Sequence, residues 1–383
     1  MTPVPTTGRK GVAVLGSTGS IGTTALRVLD RQRGRFRVAA LTANSNSALL
    51  KEQARKFSPS FVGMVESNAD ADGAWQSGTK ALVAAATLED VDIVLNAIVG
   101  AAGLDATLAA LEKGKRVALA NKETLVIAGR LVSEACARGS GEVVPVDSEH
   151  SAILQCITGH PASQVRRVVL TASGGPFRDW SRERLARATV EDALRHPTWQ
   201  MGRKISIDSA TLANKALEVI EAHFLFGLPY DRIDVVVHPQ SVVHSFVEFI
   251  DGSVVAQMSV PTMELPVLYA LTHPERVEDD GVAPFDPVRL SPMTYEPVDH
   301  ERFPALRLGI AAGVAGGAAP AVFNAANECA VAGFLAGKLA FMDIPRAISS
   351  ALDELSALPS GNREELLAAD AAARNHVKRM SKC

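Results

Sequence analysis

The sequence predicts an α/β protein that begins with a doubly wound parallel sheet. Short apolar segments alternate with helical patterns over the first 147 residues. The apolar segments lie at 11–15, 37–42, 91–95, 116–120 and 142–146. Such alternation is typical of βαβ units, which build a parallel sheet with helices on both faces. We therefore expect an N-terminal Rossmann-like domain over residues 1–147.

The rest of the chain predicts a central α+β domain, a linker and a C-terminal α-helical domain. Helix and strand patterns are mixed over 148–272, and the alternating segment 241–260 surrounds Asp251-Gly252, a strong hairpin signal. Prolines and acidic residues over 273–299 indicate a linker that can donate an edge strand. Alanine-rich helical patterns predict the helical domain over 300–383.

Composition excludes several classes of protein. With 383 residues, 47% of them hydrophobic, and a net charge of −3, the chain is typical of a globular protein of two or three domains. It is not basic enough to indicate nucleic-acid binding. The apolar runs are shorter than the roughly 20 residues of a membrane-spanning helix, and the N-terminus shows no signal core. We therefore expect a cytoplasmic protein that binds neither nucleic acid nor membrane.

A glycine-rich turn follows the first predicted strand and precedes the first predicted helix. Its residues are Gly16, Ser17, Thr18, Gly19, Ser20, Ile21 and Gly22. Three glycines in a strand-to-helix turn allow a pyrophosphate to approach the helix N-terminus closely. The spacing is GxxGxxG rather than GxGxxG, so the strand–turn–helix context carries the prediction of a dinucleotide site.

The end of the second predicted strand indicates which dinucleotide is used. Asn44, Ser45 and Asn46 follow it, with no carboxylate to hold a ribose 2′-hydroxyl. Small hydrogen-bond donors can instead reach a 2′-phosphate. The sequence therefore favours NADP over NAD.

Charged residues follow two later predicted strands. Asn121 and Lys122 come directly after one of them, where open α/β sheets bind ligands, although a solvated lysine is an equal alternative. Asp147 and Glu149 flank Ser148 after the next, and neighbouring carboxylates repel unless a cation lies between them. This favours Mg²⁺ or Mn²⁺, which prefer oxygen ligands. The alternative is that either carboxylate caps the helix that follows.

A polar helix edge is predicted within 203–221. Asn214, Lys215, Glu218 and Glu221 share one arc, opposite an apolar stripe. Asp208 and Ser209 occupy positions typical of an N-cap. A helix start with a hydroxyl, an amide and an ammonium suits a phosphate, and Glu218 suits a cation. The alternative is a solvated polar face.

Eight segments in order along the chain resemble the 1-deoxy-D-xylulose 5-phosphate reductoisomerase family. They are GSTGSIG at 16–22, NAIVGAAGL at 96–104, ANKETLV at 120–126, PVDSEHSAI at 145–153, ASGGPF at 172–177, HPTWQMGRKISIDSATLANKALEVIEA at 196–222, VVHPQSVVHS at 236–245 and FNAANE at 323–328. The resemblance implies conversion of 1-deoxy-D-xylulose 5-phosphate to 2-C-methyl-D-erythritol 4-phosphate, a step of non-mevalonate isoprenoid synthesis, by a homodimer. It also implies NADPH and a divalent cation: Mg²⁺, Mn²⁺ or, alternatively, Co²⁺.

The resemblance also implies roles for individual residues. Asp147, Glu149 and Glu218 match metal ligands, and Ser148 and Lys122 match residues near the reacting hydroxyls. The glycine-rich turn and the residues after the second strand match the cofactor site, which the resemblance extends to Asn121, Glu123 and Gly202.

The implied substrate site belongs to the central, catalytic domain. The residues that match the phosphate anchor are Ser173, His196, Ser209, Asn214 and Lys215. Trp199 and Met201 match a lid over 195–202, and we expect Pro261 and Met263 to line the same pocket. FNAANE is expected to pack structurally.

Two other classes of function remain open from the residues alone. One is a metal-independent NADP dehydrogenase of the semialdehyde type, with Cys156 as its nucleophile. The other is a catalytically silent dinucleotide-binding protein.

The four cysteines show no CxxC spacing, so neither a disulfide framework nor a zinc site is expected.

Overall fold

The computed structural model describes residues 8–66 and 75–380. These residues form two compact units. The first comprises the described residues up to Thr124, together with Arg130–Ser151 and Thr262–Ala283. The second comprises Leu125–Gly129, Ala152–Pro261 and the described residues from Pro284 onward. Each unit is interrupted in sequence by parts of the other.

Strands build one sheet in each unit. In chain order they are β1 Lys10–Leu15, β2 Phe36–Ala43, β3 Phe61–Met64, β4 Gln76–Ser77, β5 Ile93–Asn96, β6 Arg116–Leu119, β7 Glu142–Pro145, β8 Val165–Ala172, β9 Ile233–Val237, β10 Val243–Phe249 and β11 Val254–Met258.

Helices account for most of the remaining described residues. In chain order they are α1 Ser20–Arg31, α2 Ser47–Phe57, α3 Lys80–Thr87, α4 Leu104–Glu112, α5 Lys122–Gly139, α6 Ser148–Ile157, α7 Arg182–Leu185, α8 Val190–Leu194, α9 Arg203–Thr211, α10 Ala213–Phe226, α11 Glu264–Thr272, α12 Ala305–Ala315, α13 Ala319–Leu335, α14 Asp343–Leu355 and α15 Arg363–Met380.

The sheet of the first unit confirms the predicted doubly wound arrangement. Its order is β4-β3-β2-β1-β5-β6-β7, and all of its pairs are parallel. The chain moves outward from β1 in one direction as far as β4 and then returns to the other side of β1 with β5. Ligands in such sheets bind beyond the carboxyl ends of the strands, near this reversal. The glycine-rich turn follows β1 at this edge.

Two strands of this sheet were not predicted from the sequence. β3 has four residues and contains Gly63, and β4 has only two, both of them exposed. Strands this short carry too little alternation to be recognised by periodicity. The five predicted strands all occur, with bounds shifted by one or two residues.

The second unit has a mixed sheet and a helical layer. Its sheet order is β11-β10-β8-β9, with β8 and β9 parallel and β10 antiparallel to both of its neighbours. The predicted hairpin is therefore present as β10 and β11. The C-terminal helices pack with α9 and α10 around an apolar core that includes Phe177, Leu217, Phe323, Ile348 and Val377.

The observed units differ from the boundaries expected at 147, 272 and 299. Residues Thr262–Ala283 belong to the first unit, where α11 packs against α1. Arg31 forms ion pairs with Glu264 and Asp279, the latter over 2.6 Å. These contacts join residues more than 230 positions apart, so no local pattern signals them.

The later part of the expected linker lies in the second unit. There Glu296 pairs with Val237 of β9 in an antiparallel bridge, consistent with the expected edge contribution. Among the described residues, no helix is both long and apolar enough to span a bilayer.

Candidate functional site

The glycine-rich turn between β1 and α1 requires glycine at two of its positions. Gly16 has a φ of +80°, and a Cβ there would lie 2.8 Å from the Ala97 carbonyl oxygen. A Cβ on Gly22 would lie 2.2 Å from the Gly16 carbonyl oxygen. A Cβ on Gly19 would meet only one atom, at 3.4 Å. The turn is therefore closed on its inner side and open at Gly19.

The start of α1 is suited to an anion. Gly19 is the N-cap of α1, and no side chain caps the helix. The first backbone N–H groups of a helix have no acceptor within the helix, and they carry partial positive charge. The open position at Gly19 and this uncapped helix start fit the pyrophosphate of a dinucleotide.

The side chains of the turn have different environments. Ser17 is fully buried and donates to Gln53 Oε1 over 2.7 Å, while Gln53 Nε2 donates to the Ser17 carbonyl oxygen over 2.9 Å. The Ser17 side chain therefore braces the turn against α2. Thr18 and Ile21 are half-buried, and Ser20 is exposed.

The residues after β2 are all exposed, and the side chains of Asn44 and Asn46 form hydrogen bonds within the protein. Asn46 Oδ1 accepts from the Leu49 N–H over 3.2 Å and caps α2. Asn44 Nδ2 donates to Glu66 Oε1 over 2.9 Å. Sequence reasoning missed Glu66 because it follows β3, a strand that periodicity did not reveal. No carboxylate follows β2 directly in the sequence, but the fold brings the Glu66 carboxylate to the end of β2.

Asn121 joins two strand ends of the first unit. Its Oδ1 accepts from the Thr124 N–H over 2.7 Å, which caps α5, and its Nδ2 donates to the Gly100 carbonyl oxygen over 2.9 Å. Lys122 and Glu123 follow it and are both buried. The alternative of a solvated surface lysine at 122 is therefore excluded.

Lys122 forms an ion pair with Asp147, the residue that follows β7 and Val146. The His150 Nδ1 lies 3.4 Å from the same carboxylate. Burial alone would raise the pKa of Asp147, but the positive charge of Lys122 and the contact with His150 outweigh it and hold the pKa well below its usual range. Asp147 is therefore an anion whose carboxylate contacts side chains, which disfavours a mere capping role.

Ser148 and Glu149 begin α6 beside this carboxylate. The Ser148 hydroxyl donates to the Glu149 carboxylate. Both residues lie in the same unit as Asp147. The first unit thus supplies two carboxylates, a hydroxyl and an ammonium from neighbouring strand ends, a donor set that suits Mg²⁺ or Mn²⁺ and a polar substrate.

In the second unit, Ser173 and His196 form a hydrogen-bonded pair. His196 Nε2 lies 2.9 Å from Ser173 Oγ, and His196 Nδ1 accepts from the N–H groups of Thr198 and Trp199 over 3.2 and 2.9 Å. A ring nitrogen that accepts these bonds carries no proton, which assigns the proton to Nε2. Burial lowers the pKa of His196 to about 4, so the ring is neutral near pH 7.

The expected lid is an irregular segment between α8 and α9. Residues 195–202 contain neither helix nor strand. Trp199 is half-buried, with its ring 6.3 Å from that of His244, and Met201 is also half-buried. Gly202 is exposed and is the N-cap of α9.

The predicted helix within 203–221 is interrupted, which corrects the expected N-cap. Leu212, with a φ of +61°, separates α9 from α10. Asp208 and Ser209 lie inside α9 rather than at a helix start. Asp208 is buried, where it forms an ion pair with Lys204 over 2.9 Å and accepts from Asn327 Nδ2 over 2.7 Å. Asn327 belongs to FNAANE, so that segment anchors α9.

The lysine and glutamate side chains of α10 are buried rather than solvated. Glu218 accepts from Asn214 Nδ2 and forms an ion pair with Lys215. Lys215, Glu218 and Glu221 are each at most 3% exposed. Among the described residues, Asn214 Oδ1 is buried and has no hydrogen-bond partner. Burying several polar side chains on one helix face costs free energy unless they bind a ligand or are hydrogen-bonded to one another. The alternative of a solvated polar face is therefore excluded.

Cys156 does not have the environment of a nucleophile. It is buried beside Ile153, Val168 and Leu170 in the apolar core of the second unit. A reactive thiol requires access to solvent and a neighbouring positive charge.

Pro261 and Met263, which were expected near the substrate, are half-buried and precede α11.

A glycine turn on an all-parallel sheet, with acidic and basic side chains at the carboxyl ends of later strands, defines an α/β protein of the dinucleotide-binding class. Three family models match the chain. The 1-deoxy-D-xylulose 5-phosphate reductoisomerase model matches residues 12–129, and two models of the C-terminal domain of that enzyme match 143–226 and 258–376. The chain belongs to the 1-deoxy-D-xylulose 5-phosphate reductoisomerase family, as the resemblance of its motifs implied.

Relatives and solved structures agree with this assignment. The chain is 47% identical to the 1-deoxy-D-xylulose 5-phosphate reductoisomerase of Thermosynechococcus vestitus, over 97% of this chain and 93% of that one. A structure of the Zymomonas mobilis enzyme in complex with NADPH matches with a TM-score of 0.91 at 43% identity, covering 98% and 100% of the two chains. A reductoisomerase structure with NADPH, fosmidomycin and magnesium matches with a TM-score of 0.92 at 39% identity, covering 97% and 98%. Nothing in these findings supports the semialdehyde-type dehydrogenase.

Proposed function

We propose that this protein converts 1-deoxy-D-xylulose 5-phosphate to 2-C-methyl-D-erythritol 4-phosphate, using NADPH and a divalent cation. The observation that carries the proposal is that similarity to reductoisomerases extends over almost the whole chain and over both units. The NADPH, magnesium and fosmidomycin named for the related structures support the choice of cofactor, ion and a small phosphorus-containing ligand.

Asp147, Glu149 and Glu218 are the proposed ligands of the cation. All three supply carboxylate oxygens, which suits Mg²⁺ and Mn²⁺ and is compatible with Co²⁺. When bound, the cation supplies Lewis-acid polarisation of the substrate carbonyl, which favours the carbon–carbon rearrangement that precedes reduction. The lysine paired with Asp147 lowers the pKa of that carboxylate and so favours the ionised form that binds a cation, and a second lysine is paired with Glu218.

Lys122 and Ser148 are proposed to act on the reacting part of the substrate. The Lys122 ammonium is buried beside Asp147, where a positive charge is more effective than in water. Negative charge that develops on a substrate oxygen is stabilised there. The Ser148 hydroxyl, beside Glu149, is placed to exchange its hydrogen bond for one to a substrate hydroxyl.

The substrate phosphate is proposed to bind to Ser173, His196, Ser209, Asn214 and Lys215. His196 Nε2 carries a proton that can be donated to an anion, and its Nδ1 bonds tie this residue to the backbone of the lid. Phosphate binding therefore couples to the position of Trp199 and Met201, which exclude water when the lid closes. Pro261 and Met263 complete the apolar part of this pocket.

NADPH is proposed to bind along the carboxyl edge of the sheet of the first unit. The pyrophosphate would lie at the glycine-rich turn, against the backbone N–H groups at the start of α1, and the adenosine end near Asn44, Ser45 and Asn46. Asn121, Glu123 and Gly202 would contact the nicotinamide end. We further propose that the protein acts in the cytoplasm as a homodimer, in the non-mevalonate route to isoprenoids.

One assay tests the proposed reaction. Purified protein with NADPH, Mg²⁺ or Mn²⁺ and 1-deoxy-D-xylulose 5-phosphate should oxidise the cofactor, as measured by its near-ultraviolet absorbance, and form a branched methylerythritol phosphate. A chelator should stop turnover, whereas a semialdehyde-type enzyme would be unaffected. The dephosphorylated sugar should lose turnover as well as affinity, because the remote phosphate orients the reacting carbons. The absence of cofactor oxidation in the complete mixture would refute the proposed reaction.

A further inference from the structure

The end of β2 carries a carboxylate that comes from the neighbouring strand. β2 and β3 pair in parallel, with Ala43 opposite Met64. Beyond the strands, the Glu66 N–H donates to the Asn44 carbonyl oxygen over 2.8 Å. The Asn44 side chain returns a bond, from Nδ2 to Glu66 Oε1, over 2.9 Å. Backbone and side-chain bonds together hold the Glu66 carboxylate beside Asn44.

Glu66 follows β3 but lies beside the end of β2, where dinucleotide-binding sheets distinguish their cofactors. In such sheets an Asp or Glu at the end of the second strand accepts a hydrogen bond from the ribose 2′-hydroxyl of NAD, and an arginine nearby accommodates the 2′-phosphate of NADP. Both Asn44 and Glu66 are exposed, so the carboxylate is accessible to a ligand. The chain therefore presents an NAD-type group at a site proposed to bind NADPH.

We propose that Glu66 is a specificity-determining residue that limits the preference of the nucleotide site for NADPH over NADH. The inference rests on the proposed function, since it assumes that this edge of the sheet binds the adenosine ribose. A carboxylate repels the 2′-phosphate, which carries nearly two negative charges at pH 7. The Glu66 carboxylate also accepts the hydrogen bond of the Asn44 amide, which a 2′-phosphate would otherwise accept. A 2′-hydroxyl, in contrast, can donate to Glu66.

The substitution Glu66→Gln separates charge from position. Glutamine keeps the length of the side chain and an oxygen that can accept from Asn44 Nδ2, but it removes the negative charge. The matched control is Glu89→Gln. Glu89 is also an exposed glutamate of the first unit, but it precedes β5 and so lies at the amino-end edge of the same sheet.

The dissociation constants of NADPH and NADH should be measured by titration for the wild-type protein and both variants, at one fixed ionic strength because salt screens the effect. In Glu66→Gln, NADPH should bind more tightly and NADH more weakly. The ratio of the NADH constant to the NADPH constant should rise by about 3- to 10-fold. In Glu89→Gln this ratio should stay within about twofold of the wild-type value.

A second measurement removes the nicotinamide from the comparison. The fragments 2′,5′-ADP and 5′-ADP differ only in the group that Glu66 is proposed to sense, and Glu66→Gln should favour the first by the same factor. If both ratios are unchanged while the wild-type protein binds NADPH and turns over, this inference is wrong and the proposed reaction stands. If the wild-type protein binds neither nucleotide, the proposed function fails and the inference fails with it.

Discussion

Each unit contains a lysine–carboxylate pair among its candidate site residues, and the two pairs differ in solvent exposure. In the first unit, the Lys122 and Asp147 side chains are 9% and 19% exposed. In the second, the Lys215 and Glu218 side chains are 4% and 1% exposed. The first pair joins the ends of two adjacent strands, whereas the second lies within one turn of α10.

The difference in exposure indicates different consequences when one partner is removed. Removal of the partner of a buried charge lowers the free energy of unfolding by several kcal/mol, because the desolvation of that charge is no longer compensated. The loss is smaller when the remaining charge still reaches water or a second partner. Asp147 retains His150, and Glu218 retains an amide donor from Asn214 but is almost completely excluded from water. Removal of the lysine should therefore destabilise the folded protein more in the pair on α10 than in the pair of the first unit.

The largest expected effect is on turnover when a proposed metal ligand loses its charge. Glu218→Gln and Asp147→Asn should each reduce turnover by about 10²- to 10³-fold, because charge stabilisation at the reacting oxygens is lost. NADPH binding should remain, since the proposed pyrophosphate site is the turn between β1 and α1. Turnover should be measured across a Mg²⁺ titration, and NADPH binding by fluorescence. Near wild-type turnover in either variant, independent of metal, would refute the three-ligand assignment.

The second effect separates the pairs by stability. In metal-free protein, Lys215→Ala should lower the free energy of unfolding by about 3–5 kcal/mol, because it removes the ammonium paired with the buried Glu218 carboxylate. Lys122→Ala should cost about 1–3 kcal/mol, because Asp147 keeps partial exposure and His150. Urea denaturation of both variants measures the difference. Equal losses would show that exposure does not distinguish the two pairs.

Lys215→Ala also tests the proposed phosphate anchor. Loss of one charge-assisted contact is worth about 1.5–3 kcal/mol, so substrate should bind roughly 10- to 150-fold more weakly. Titration of the folded variant with substrate measures this change. An unchanged affinity would place the phosphate elsewhere.

A smaller effect extends the comparison to the Lys204–Asp208 pair. Asp208 is buried, and Asn327 supplies its additional hydrogen bond. Asn327→Ala should lower the free energy of unfolding by about 1–3 kcal/mol, because a buried acceptor loses one donor. Asn362→Ala, an exposed asparagine that caps α15, is the control and should cost no more than about 1 kcal/mol. The same loss in both variants would argue against an anchoring role for Asn327.

The last expected effect is a pH dependence of stability due to His196, which unlike the lysines is neutral. Burial lowers its pKa in the folded protein to about 4, against about 6.5 in an unfolded chain. The unfolded state therefore binds the proton first, and stability should be lost as pH falls from 6.5 towards 4. His196→Asn should lose less stability over this interval than the wild-type protein. Parallel unfolding curves for the two proteins across these pH values would contradict the lowered pKa.

Local signals in the sequence account for the parts of the structure that were predicted correctly. The turn at Gly16 and Gly22 was predictable because close backbone contacts there require glycine, and the strand-end residues at 122 and 147 because they directly follow apolar strands. The break at Leu212 was not predictable, since leucine with positive φ carries no pattern. The same holds for Glu66 beside Asn44, which depends on the register of a four-residue strand.

The ion pairs of Arg31 with Glu264 and Asp279 have a consequence for folding during synthesis. Ribosomes release the chain from its N-terminus, so the seven strands of the first sheet emerge well before α11. At roughly 5–20 residues per second, α11 follows several seconds after β7, and until then its contacts with α1 cannot form. A nascent chain that stops at residue 151 should therefore remain sensitive to protease, and resistance should appear only once residue 283 has left the exit tunnel.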